Sequence, residues 1–109
     1  VKTIGGRYRS SFLQKVRRAG EHVRKDTQEL RVKLMDELEG MFALAKEAVK
    51  AKNVTVKEAQ NWMRIMGYLS QVMNSLSKSF DEAKALEYLK NLERMMRGSK
   101  KHTEESARN

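Results

Sequence analysis

The sequence predicts an all-α fold, a three-helix up-down-up bundle with an extended, basic first helix. Three observations carry this expectation. The 109 residues include no proline and no cysteine, and only 6% are aromatic, while Lys, Arg, Glu, Leu and Met are plentiful. That balance belongs to helical domains rather than to sandwiches or barrels. Apolar residues recur three and four positions apart over long stretches, the period of a helix with one buried face. Two Ser/Thr-x-x-Glu patterns, at 55–58 and 79–82, read as helix starts between those stretches.

The elements follow in order. Residues 1–10 read as a flexible basic arm, because Gly5-Gly6 disfavours regular structure and no helical period is present. Ser10 or Ser11 then caps a first helix over 11–52, whose stripe is Phe12, Val16, Ala19, Val23, Leu30, Leu34, Leu38, Met41, Ala45 and Ala48. At 1.5 Å per residue such a helix is roughly 60 Å long. Gly20 and Gly40 are its candidate bends, each costing roughly 1 kcal/mol relative to alanine. Asn53-Val54 stops it, and Thr55-Val56-Lys57-Glu58 opens a second helix over 56–77. Ala59, Trp62, Met63, Met66 and Met73 form the leading face of that helix, with Ile65, Leu69, Val72 and Leu76 beside it. Ser79-Phe80-Asp81-Glu82 starts a third helix over 80–97, with Ala85, Leu89, Leu92 and Met96 in its seam. Gly98 closes it, and the polar tail 99–109 is expected to be disordered. The helical bundle thus spans 11–98.

Helix lengths then constrain the architecture. The second and third helices, each roughly 30 Å long, cover only half of the first. The covered half is 31–52, so residues 11–30 are expected to project or to fold back at Gly20. The expected core is Leu34, Leu38, Met41, Ala45, Ala59, Trp62, Met66, Leu69, Met73, Leu86, Leu89, Leu92 and Met96. The projecting stripe of Phe12, Val16, Val23 and Leu30 needs a cover, because a lone helix of this length is marginal in water. A protein partner or a second copy docked on those four residues supplies it.

Charge is concentrated at the same end. The formal net charge is +9; residues 1–33 hold ten basic and three acidic residues, whereas 34–79 and 80–109 are each only one charge positive. Arg17, Arg24 and Arg31 recur every seven residues, and Lys15, Arg18, His22 and Lys25 make a second row. Rows of this kind suit a nucleic-acid backbone, where each phosphate contact releases counterions, but they carry no base sequence. The candidate contacts are Arg7, Tyr8, Arg9, Lys15, Arg17, Arg18, Arg24, Lys25 and Arg31, with Tyr8 between two arginines placed to stack on a base. DNA and RNA are not distinguished. The bland alternative is a solvated amphipathic face.

Catalytic chemistry has little to stand on. His22 and His102 lie far apart, and no metal-ligand spacing or phosphate-binding loop occurs. Asp36, Glu37 and Glu39 read as solvent-side carboxylates, and Asp81 and Glu82 as helix-start charge. No catalytic residue, metal or cofactor is therefore expected, and the protein reads as a non-enzyme. Helix-turn-helix recognition is set aside, since the turn glycine is missing after Thr55–Ala59 and helix three carries Asp81, Glu82, Glu87 and Glu93, a poor complement for a phosphate-lined groove. No apolar run is long enough to cross a bilayer, membrane binding is not expected, and the absence of cysteine fits a cytoplasmic setting. The expected function is a small basic accessory protein that binds nucleic acid through its arm and first helix, as a subunit of a processing complex. The alternative is an adaptor that docks its amphipathic first helix into a partner or a second copy.

Overall fold

The computed structural model describes the backbone of residues 3–25 and 28–108 and the side chains of residues 7–23 and 31–97. Among the described residues the chain forms a four-helix bundle, not a three-helix one: α1 (Thr3–Lys25), α2 (Gln28–Val49), α3 (Val56–Lys78) and α4 (Glu82–Arg108). The long first helix of the sequence reading is two helices, and the chain reverses between Lys25 and Gln28 rather than at Gly20 or Gly40. The physical reason is the stripe itself. A helix projecting alone would leave Phe12, Val16, Ala19 and Val23 in water, whereas folding back buries all four. The break is also marked in the sequence. The stripe jumps from Val23 to Leu30, and Asp26-x-x-Glu29 between them is another helix-start pattern.

Each helix packs against its two neighbours in a closed ring, α1 on α2 and α4, α3 on α2 and α4. The short connections make consecutive helices antiparallel. Residues 3–10 of the expected flexible arm are instead the first turns of α1, which begins at Thr3, and residues 1–2 lie outside the described residues. Gly5 and Gly6 cost helix stability without forbidding it, and Tyr8 ties those turns down by packing on the core. Likewise α4 continues through Gly98 to Arg108, where a disordered tail was expected. No proline follows Gly98 to enforce a stop.

The core among the described residues is wholly apolar, with no buried polar or charged side chain. Leu34, Leu38, Met41, Ala45, Trp62, Leu69, Leu89, Leu92 and Met96 sit in it as expected, joined by the four α1 residues and by Ala48, Ile65, Val72, Leu76 and Ala85. In α3 the buried line is Trp62, Ile65, Leu69, Val72 and Leu76, a strict three-four alternation. The α3 methionines expected in the core pack against its edge rather than inside it. Met66 and Met73 are half-buried and Met63 is 58% exposed. Ala59 and Leu86 are also only half-buried.

Caps set the helix ends. Thr55 Oγ1 accepts from the Glu58 amide at 3.1 Å, and Glu58 Oε1 accepts from the Thr55 amide at 3.0 Å, the reciprocal box expected at this position. The second box is not formed as expected. Ser79 closes α3, its amide donating to the Ser75 carbonyl at 3.0 Å, while Asp81 Oδ1 accepts from the Lys84 amide at 3.1 Å and starts α4.

Candidate nucleic-acid interface

The fold redistributes the basic residues. On α1, Arg7, Arg9, Arg17 and Arg18 are exposed, against one described carboxylate, Glu21. Arg24, Lys25 and Leu30 lie outside the residues whose side chains are described. Lys15 leaves the basic row. It is half-buried, with its stem laid over Gly40 of α2, where a methyl group on Gly40 would meet the ammonium nitrogen at 3.3 Å. His22 also turns to α2, its Nε2 3.7 Å from Glu37 Oε2, so it is not a free surface group. Glu37, expected on the solvent side with Asp36 and Glu39, is half-buried there, while the other two are exposed.

Arg31 is separated from Arg17 altogether. With the chain reversed before Gln28, it lies on α2, its guanidinium carbon 4.8 Å from the centroid of the Phe80 ring. A cation over an aromatic face at that distance stabilises the packing of the α3–α4 connection. Tyr8 is no free stacking platform either. Half-buried, it meets the Trp62 ring edge-on at 6.5 Å between centroids. It extends the apolar stripe one turn toward the N-terminus, a signal present in the Tyr8–Phe12–Val16 spacing.

The four residues assigned to partner docking fare alike where they are described. Phe12, Val16 and Val23 are 0%, 7% and 2% exposed, covered by the protein's own helices. A partner could seat on them only by displacing the neighbouring helices.

What α1 loses toward α2 it regains toward α4. Lys90, Arg94 and Arg97 are exposed on α4, spaced four and three apart and so sharing one side of the helix. Two of them, Lys90 and Arg97, line a groove between α1 and α4, together with Arg17 of α1. The groove measures about 340 Å³, and its walls are Leu13 and Val16 from α1 and Leu86 and Leu89 from α4. Buried Gly20 lines it too. Its one carboxylate, Glu93, is bridged by Arg97 at 3.3 Å. The outcome is a cleft of mixed lining, aliphatic side chains beside three cations, with Arg18 exposed next to Arg17 on α1. Arg94 turns instead toward the α3–α4 seam, its Nη1 donating to Asn91 Oδ1 at 3.3 Å.

Sequence reasoning missed the α4 cations because residues 80–109 are nearly neutral in sum, and that sum mixes faces. The 90–94–97 spacing was the available signal. The α3–α4 seam is different in kind. Tyr68 and Tyr88 pack edge-to-face at 6.3 Å, Ser75 Oγ and Tyr88 OH are 2.9 Å apart, and Asn91 Nδ2 donates to Tyr68 OH at 2.9 Å. These satisfied hydroxyls hold two helices together and face no free substrate space.

Among the described residues no three His, Asp or Glu side chains converge as a metal site would require, and no helix is long and apolar enough to cross a membrane. No protein-family profile, curated protein or solved structure matches this chain.

Proposed function

We propose that the protein binds nucleic acid through the joined face of α1 and α4, holding phosphates with Arg17, Arg18, Lys90 and Arg97. The observation that carries this reading is the groove, where cations from two helices distant in sequence border one cleft beside a single carboxylate. The described charges of α2, by contrast, nearly cancel. On α2, Arg31, Lys33 and Lys46 stand against Asp36, Glu37, Glu39 and Glu47. An anionic backbone laid along the α1–α4 face exchanges its counterions for these side chains, an electrostatic interaction blind to base sequence. The proposal moves the binding surface from an arm and a single helix to two helices of the bundle. A cytoplasmic setting, as a cysteine-free accessory protein, belongs to the same reading.

The test is equilibrium binding to labelled oligonucleotides across a salt series. Replacing Arg17, Arg18, Lys90 and Arg97 by Gln should flatten the salt slope by roughly 0.7–0.9 for each phosphate no longer neutralised. Replacing Lys57, Arg64 and Lys78 of α3 by Gln should leave it nearly unchanged. Equal effects of the two sets, or no binding by the unaltered protein at low salt, would refute the reading.

A further inference from the structure

Within that reading, the groove has features that phosphate binding alone does not require. Arginines and lysines on a smooth helical face suffice to hold a backbone. Here the cations instead surround a cleft of about 340 Å³ with Leu13, Val16, Leu86 and Leu89 in its walls. Its volume lies near the lower end for ligand sites and suits one small flat group rather than a helix of a partner protein. Gly20 contributes no side chain to fill it.

We infer that the α1–α4 groove seats one unpaired nucleobase of a bound strand, so that the protein prefers single-stranded nucleic acid to duplex. This rests on the reading above. A nucleotide is a flat plate with apolar faces joined to a neighbouring anion, and the groove offers the complement of both parts. The leucine and valine walls contact the faces of the base, as apolar side chains do around bases taken out of a stack. Arg17, Lys90 and Arg97 at the border meet the phosphates on either side, and a guanidinium plane can also stack on the ring. Glu93, held by Arg97 at 3.3 Å, repels phosphate from the interior and leaves an acceptor for a base amino group. In a duplex the base faces are stacked and the edges paired, so the plate is not available unless the nucleotide is extruded.

The experiment uses the full chain across a salt series, with affinities compared at matched salt, and four probes of equal charge: a mixed-sequence single strand, the same strand with consecutive abasic sites, a duplex, and a polyglutamate peptide. The intact single strand should bind several-fold more tightly than the abasic strand, toward the low end of the roughly 5- to 100-fold that a base gains on an aromatic ring, because the groove walls are aliphatic. It should exceed the duplex by a similar factor. A 2-aminopurine placed in the strand should change its fluorescence on binding. Leu86→Trp, which fills the groove with a ring, should bring the intact strand down to the abasic level while leaving the salt slope unchanged. Thermal unfolding of this variant checks that it remains folded, and the abasic comparison stands without it. Equal affinity for intact strand, abasic strand and duplex overturns the inference and leaves phosphate binding standing. Polyglutamate bound as tightly as the intact strand overturns it as well, in favour of acidic protein segments. No binding to any strand overturns the inference and the functional reading together.

Discussion

The Phe12 ring of α1 meets the Trp62 indole of α3 edge-to-face, 5.8 Å between centroids, across the diagonal of the bundle. Neighbouring helices pack side by side around the ring, but this pair joins opposite ones. Phe12 is fully buried and Trp62 nearly so. The relationship fixes the depth at which α1 sits.

It follows that Phe12→Ala should destabilise the protein by about 3–5 kcal/mol, the range for deleting a buried aromatic ring. Urea unfolding followed by far-ultraviolet circular dichroism measures it. A loss under about 1 kcal/mol, typical of a surface change, would show that α1 is not part of the core.

Arg31 and Arg17 should separate cleanly. Arg31→Gln removes the cation over Phe80 and should cost about 0.5–1 kcal/mol of stability while leaving oligonucleotide affinity nearly unchanged. Arg17→Gln should do the reverse, since its side chain is exposed beside the groove. Thermal melts and salt-dependent titrations of the two single variants measure both effects for each. Comparable losses of affinity would restore the single basic row that the chain reversal breaks.

Gly67 is an opportunity for stabilisation. It lies on the exposed side of α3, and a methyl group placed on it would meet no atom within 4 Å. Gly67→Ala should therefore raise stability by about 0.5–1 kcal/mol through helix propensity and a less free unfolded chain. Gly40→Ala should gain less, because the new carbon would press the Lys15 ammonium at 3.3 Å and displace it. Side-by-side denaturant midpoints decide the order, and a destabilised Gly67→Ala would contradict the open placement.

Much of the helix content could be read from apolar spacing, and the Thr55–Glu58 box was legible to the residue because its chemistry is local. The number of helices was not. The stripes before and after residues 26–27 remain in phase with a single long helix, and periodicity cannot see a reversal that preserves phase. The energetics of the uncovered stripe and the Asp26-x-x-Glu29 helix start both point to it, but an outside partner covers a stripe as well as the chain itself does. The face of α3 failed for a related reason. Met63, Met66 and Met73 are apolar and adaptable like their neighbours Ile65 and Val72, so hydrophobicity alone left the phase of the wide apolar surface undecided. At the candidate site, exposure of Arg17 and Arg18 followed from their place opposite the stripe. The groove did not, since its two walls come from opposite ends of the chain.

That separation has a kinetic meaning. Three seams of the bundle join consecutive helices, and each can close as a local hairpin, which places folding among the fast, low-contact-order topologies. The α1–α4 seam joins the two ends of the helical ring and carries the long loop-closure cost. The groove therefore exists only once the circle is complete. An anion held there binds the closed bundle and not its opened forms, and by mass action it suppresses fraying of the first and last helices together.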